Sequence, residues 1–212
     1  MPKIVNKDAR KLHIAETYLS IVAEEGAPAA TSRRLAQELG VATGALWHYF
    51  ENFDELLSRA FQLVFDQTNA RIAEATAERT GLDALARMIE QIHPLDKTTH
   101  DEAAVVLSFW GRLATQPRFA VHQAFIEGQW RADYLLHLQE AIRDGEISPD
   151  APIEDLADAL IVLAIGYQVE HTLDTPIATP AAQWRVMTVV LSPWTTALGS
   201  ARFRANRRAS TL

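Results

Sequence analysis

Thr31–Phe50 reads TSRRLAQELGVATGALWHYF, and the spacing within it decides the fold. Two short helical patterns meet there at Gly40, too close together for an ordinary helix hairpin. Leu35, Ala36 and Leu39 share one face of the first, and Val41, Ala45 and Leu46 belong to the second. Thr31 is placed to act as an N-cap, its hydroxyl accepting from an otherwise orphan backbone N–H. Gly40 can adopt the left-handed conformation that turns the chain sharply, after which Val41 can drop between the helices. This is the sequence form of a helix-turn-helix, whose second helix enters the DNA major groove.

The exposed side of the second helix, over 42–49, supports that expectation. Thr43, Trp47, His48 and Tyr49 offer hydrogen bonding or stacking, while Gly44 and Ala45 are small enough to let backbone approach DNA. Arg33 and Arg34, in the first turns of the preceding helix, can reach phosphates across the groove. The competing reading is a helical hairpin inside an all-α core, with Trp47 and Tyr49 as packing residues.

The stretch resembles the DNA-binding domain of the TetR family of bacterial transcriptional regulators. The matching residues are Thr31, Arg33, Leu35, Ala36, Gly40, Val41, Gly44, Leu46, Tyr49 and Phe50, followed by Asn52, Glu55 and Leu56. Upstream, Ile14, Ala15, Glu25 and Gly26 fit the family's first helix. The chain departs from the family pattern in three places. Ala42 stands where a hydroxyl N-cap is usual, Trp47 replaces a Tyr that touches DNA, and Phe53 stands where a phosphate-contacting Lys is common. The resemblance implies a head that binds DNA through Thr31, Arg33, Arg34, Thr43, Gly44, Ala45, Trp47, His48 and Tyr49.

Composition bounds the rest. The 212 residues are 48% hydrophobic, enough for a full core, and include no cysteine, which excludes disulfides, thiolate zinc sites and a cysteine nucleophile. No run approaches the ~18 apolar residues of a membrane span, and the N-terminus lacks an apolar signal core, so a cytoplasmic protein without membrane contact is expected. The net charge is −7, and even residues 1–60 hold seven Lys/Arg against eight Asp/Glu. A DNA reader with this balance must concentrate its positive charge, at Lys3, Lys7, Arg10, Lys11, Arg33 and Arg34, and needs dimerisation to gather enough phosphate contacts.

Along the chain, helical periodicity predicts helices over 8–25, from Asn52 to about 78, and over 82–92, 101–115, 118–143 and 152–173, with a last long helix from Thr179-Pro180. Asn52-Phe-Asp-Glu55 and Thr99-His-Asp-Glu102 read as capping boxes. Arginines at 202, 204, 207 and 208 without an acid mark the end of the chain as a disordered basic tail. The expected fold is all-α: an N-terminal three-helix DNA-binding domain (1–51), a C-terminal helical ligand-binding and dimerisation domain (52–201), and the tail (202–212).

Leu156, Leu160, Leu163, Tyr167, Trp184, Met187, Leu191 and Trp194 have the composition of an association surface. TetR-like chains dimerise by packing this helix pair against its two-fold mate; alternatively the pair completes the monomer core. The segment around 145–173 resembles, more weakly, the body of betaine-regulator-like members. Phe109, Trp110, His122, Phe125, Trp130, Tyr134, His137, Tyr167 and His171 are candidates to line a pocket for a small-molecule effector, against ordinary core packing as the alternative. The combined expectation is a dimeric, ligand-responsive repressor of a palindromic operator. A nucleoid-type architectural DNA binder without a metabolite ligand is the alternative. Glu90-Gln-Ile-His93 has the Glu-x-x-His spacing of helical di-iron proteins, but such sites need two of these motifs. Only one occurs, so neither catalysis nor a metal or other cofactor is expected.

Overall fold

The computed structural model describes the backbone of residues 7–111 and 117–209, with side chains over 7–111 and 120–203. Lys3 of the basic arm, Leu113 and the side chain of Phe119 lie outside the described residues. Among these residues the regular structure is helical, apart from one isolated bridge between Ile147 and Thr195. The helices are α1 (Lys7–Glu25), α2 (Ser32–Glu38), α3 (Thr43–Leu46), α4 (Phe53–Thr76), α5 (Gly81–Ile92), α6 (Lys97–Trp110), α7 (Pro117–Arg143), α8 (Ile153–Thr172), α9 (Pro180–Leu191) and α10 (Ala197–Ala209).

The chain forms two compact units. Residues up to Gln67 with Asp101–Ala120 make one, and Thr68–His100 with Val121 onward make the other, so α4, α6 and α7 contribute to both. The first unit extends past the boundary expected at residue 51 for a packing reason. Phe53 at the start of α4 packs edge-on against Tyr18 of α1, and the Phe61 ring stacks on Phe109 of α6 at 3.8 Å. Ile14, Ala15, Leu35, Leu46, Phe50, Leu56 and Ala60 complete this core.

The second unit is built on α5, whose Leu82, Leu85, Met88, Ile89 and Ile92 are buried as the periodicity predicts. Tyr134 and Leu138 of α7, Leu156 and Leu160 of α8, and Trp184, Met187 and Leu191 of α9 share its core. The start of α5 is capped from afar: Glu146 Oε2 accepts from the Leu82 N–H at 2.8 Å and Glu140 Oε2 from the Gly81 N–H at 3.2 Å. Two orphan donors of the helix end are thereby satisfied by carboxylates that also complement its dipole.

The basic tail is not disordered over its described part. α10 continues through Arg202, whose guanidinium pairs with the fully buried Glu146, and Phe203 packs edge-on against Trp184. The α6 start also differs from the expectation. Asp96, not Thr99, caps it, its Oδ1 accepting from the Thr99 N–H at 2.9 Å, so the helix begins at Lys97.

Gly199 lets α10 lie directly against the Glu146 carbonyl, where a Cβ would overlap backbone. Gly199→Ala is expected to lower the urea midpoint by the equivalent of about 1–3 kcal/mol, the cost of overpacking. Gly128→Ala, on an open face of α7, should leave the midpoint unchanged or raise it. Equal midpoints for wild type and Gly199→Ala would mean that α10 does not seat on Glu146.

Candidate nucleic-acid interface and body site

The turn between α2 and α3 forms as its residues dictate. The Thr31 side chain accepts from the Arg34 N–H at 3.2 Å, capping α2. Gly40 sits at φ +65°, and the Val41 N–H returns to the Ala36 carbonyl at 2.9 Å. Ala42 gives α3 no side-chain cap, and α3 is one α-helical turn, Thr43–Leu46, continued by turns through Tyr49 rather than a regular helix over 42–49. Leu46 anchors it in the core at 1% exposure.

Thr43, Gly44, Trp47 and His48 are exposed, and Ala45 and Tyr49 half-buried. Trp47 is 38% exposed and therefore not a core residue. The basic groups divide into free and committed. Arg33 is exposed without a partner among the described residues. Arg34 is held by Glu25 at 2.6 Å and Glu38 at 2.7 Å. Lys11 bonds Glu55 at 2.7 Å and lies 5.3 Å from the Phe50 ring centroid. That lysine, aided by the Glu51 N–H, holds the Glu55 carboxyl below the usual range. Asn52 caps α4 as expected, its Oδ1 accepting from the Glu55 N–H at 3.0 Å, but the Glu55 side chain reaches back one residue further, to the Glu51 N–H at 2.6 Å, instead of to Asn52.

The expected association residues are mostly interior. Leu156, Leu160, Tyr167, Trp184, Met187 and Leu191 are buried in the chain's own core, with Leu163 and Trp194 half-buried. The faces of α8 and α9 that remain open instead present Val162 (67% exposed), Val186 and Val189 (68%).

The expected pocket residues do not form one set. Phe109 and Trp110 belong to the first unit and the rest to the second. Phe125 is 59% exposed, which removes it as a buried lining residue, and His122 is half-buried. Trp130 Nε1 donates to Asn69 Oδ1 at 2.9 Å, and His137 Nδ1 lies 2.9 Å from Glu140 Oε2. Asn69 and His137 border an open groove of about 480 Å³ along α4 and α7, with Gln129 and Asp133. Burial pushes the Asp133 carboxyl above its ordinary range. Tyr134 is fully buried, and the loss of solvent raises its phenol. The His171 ring stacks on His100 at 4.1 Å, and burial, then that neighbour, lowers it.

One group was read only as half of a metal motif. His93 caps the end of α5 with no exposure, its ring 5.7 Å from Tyr167, and desolvation pushes it down to about 4. Glu90 pairs with Arg87 at 2.9 Å, and among the described residues no group of three or more His, Asp or Glu could hold a metal. No described helix is long and apolar enough to cross a membrane.

A histidine whose folded value lies below its unfolded value binds protons preferentially in the unfolded chain. It therefore supports stability above about pH 6.5, and that support is lost as pH falls toward 4. His93→Phe should show a smaller drop in urea midpoint between pH 6.5 and 4.5 than wild type. Parallel drops would mean that His93 titrates normally in the fold.

Two family models match this architecture. One, described as bacterial regulatory proteins of the tetR family, covers residues 19–60, and one described as BetI-type transcriptional repressor, C-terminal, covers 81–209. The HTH-type transcriptional regulator PksA of Bacillus subtilis is 32% identical over 177 residues, 82% of this chain and 84% of its own. The HTH-type transcriptional repressor AcnR of Corynebacterium diphtheriae is 30% identical over 79% of this chain and 84% of its own. Among solved structures, a transcriptional regulator from Rhodococcus sp. Rha1 superposes with a TM-score of 0.71 at 24% identity, over 87% of this chain and 95% of that one. A transcriptional regulator from Saccharomonospora viridis, in complex with choline, gives 0.77 at 17%, over 87% and 96%. These last two show the fold.

Proposed function

Since the chain belongs to the TetR family of bacterial transcriptional regulators, with a BetI-type C-terminal domain and no enzymatic role, we propose that it acts in the cytoplasm as a dimeric repressor of a palindromic operator, released by a small molecule. The observation that carries this reading is the exposed set Thr43, Trp47 and His48, on a short helix and the turns that continue it, locked into the core by Leu46. Base edges are read by side chains of this kind held on a rigid support, while Arg33, Lys7 and the N-terminus of α2 meet phosphate. Residues 1–51 supply the reading head, and the helices beyond them the ligand-binding and dimerising body.

Two features of the chain favour a two-fold dimer. Arg34 and Lys11 are already engaged by carboxylates, so one head offers few free cations, and two heads are needed to hold a duplex at moderate salt. The open valine faces of α8 and α9 are the surface such a partner would cover, replacing the interior residues that periodicity alone nominated. The two recognition helices would then sit about 34 Å apart or somewhat more, in successive major grooves. An effector acts by favouring a head separation that DNA does not, to the extent that it binds the two states differently. The choline complex of a fold relative supports a small-molecule effector in kind.

Selection of genomic fragments by the purified chain at near-physiological salt should recover one or a few palindromic sites. Broad enrichment without a palindrome would favour the architectural DNA binder. On a selected fragment, Trp47→Ala should lose at least tenfold in affinity while keeping its sedimenting mass. Val162→Asp with Val189→Asp should sediment as a monomer and bind a half-site only weakly. Dissociation of the Trp47→Ala variant would instead make Trp47 a packing residue.

A further inference from the structure

The groove between α4 and α7 lies wholly within the second unit, and its lining divides by chemistry. Ile72 and Ala73 of α4, with Ala132 and Leu136 of α7, make its apolar part, and Leu136 is half exposed. Asn69 Oδ1 already accepts from Trp130 Nε1 at 2.9 Å, which ties the two helices together. Thr76 Oγ1 donates to the Ile72 carbonyl at 2.8 Å, so toward any other group it serves as an acceptor. The Gln129 amide has no hydrogen bond among the described residues. Asp133 is the one carboxylate among the described residues that line the groove, and none of them engages it in a hydrogen bond or ion pair. His137 stands nearest in charge, but its Nδ1 lies 2.9 Å from Glu140 Oε2 and is committed there. Partial loss of solvent raises the Asp133 carboxyl against the pull of that histidine. No Lys or Arg is found in the described lining.

A partly desolvated carboxylate with no counter-charge beside it favours a cation from solution. We propose that this groove binds a primary alkylammonium ion, its N–H groups on the Asp133 carboxylate and its alkyl chain over Ile72, Ala73, Ala132 and Leu136. The volume, about 480 Å³, is that of a small-molecule site. The other polar groups choose among cations. An ammonium group brings three donors and no acceptor, and Thr76 Oγ1 and Gln129 Oε1 are acceptors. A quaternary ammonium has no N–H to give them, and the described lining holds no Phe, Tyr or Trp face to attract it. A divalent metal needs several oxygen ligands, and no group of three or more His, Asp or Glu occurs among the described residues. An anion would meet Asp133 without a basic side chain to offset it. The assignment names a ligand class for the body read above as an effector domain, and rests on that reading.

The test uses the full chain and four probes that share one tail: hexylammonium, hexyltrimethylammonium, hexanol and hexanoate. Calorimetric titration at neutral pH should give a Kd for hexylammonium at least about tenfold below that for each of the others, the effect of one hydrogen bond to a charged group. Asp133→Asn keeps the shape and removes the charge, and should bring hexylammonium and hexanol within about threefold of each other. Ala132→Phe, at an exposed position, fills the groove and should weaken hexylammonium at least about tenfold. Hexyltrimethylammonium or hexanol bound as tightly as hexylammonium, no binding of hexylammonium, or binding undiminished in both variants overturns the proposal. DNA affinity is read separately. Hexylammonium binding that leaves operator affinity unchanged supports the site and sinks the effector reading. Release of DNA by another compound, without hexylammonium binding, keeps the effector reading and overturns this site.

Discussion

Glu146 places a carboxylate where no solvent reaches, and the second unit is arranged around the cost of doing so. Oε2 accepts from the Leu82 N–H of α5, Oε1 meets the Arg202 guanidinium of α10, and its backbone carbonyl accepts from the Thr196 N–H at 2.9 Å. One side chain thereby joins the start of α5, the turn after α7 and the start of α10, elements far apart in sequence. Removing any partner would leave a buried charge uncompensated, which is far more costly than the pair itself is stabilising. The close seating of Gly199 follows from the same demand.

In the first unit the controlling constraint is charge. A chain with net charge −7 that reads a polyanion has few cations to commit, yet two of its head's basic residues are used internally. Lys11 and Arg34 tie α1 to α4 and α2 to α1, so they set the orientation of the reading surface rather than face outward. This favours recognition by shape and hydrogen bonding at Thr43, Trp47 and His48, with phosphate attraction supplied by two copies.

Local chemistry was legible in the sequence wherever one residue type and one spacing suffice. Thr31 caps α2, Gly40 turns, Asn52 caps α4, and the stripe of α5 is buried as its period requires. What failed depended on partners distant in sequence. α8 is apolar nearly all round, so periodicity could not choose whether Leu160 or Val162 faces the core. The arginines of the tail have no nearby acid, and the one that binds Arg202 lies fifty-six residues back. Aromatic and histidine content nominated a pocket that included Phe125, which is exposed, while Gln168 and Gln183, whose buried amides tie α8 and α9 to the turn after α5, went unnoticed because glutamine is mostly a surface residue. A glutamine inside the apolar runs of α8 and α9 was the signal available.

A ligand-released dimeric repressor requires two heads that read DNA together at a fixed separation, which an effector alters. The chain has no cysteine, so Glu51→Cys, at an exposed position beside the reading residues, accepts a single nitroxide per protomer. The most direct measurement is the label-to-label distance by pulsed electron paramagnetic resonance, free and on a selected operator. The account predicts an intermolecular distance that narrows on DNA to one distribution, consistent with recognition helices about 34 Å apart or somewhat more. The absence of any intermolecular distance, or a distribution that DNA leaves unchanged, would contradict it.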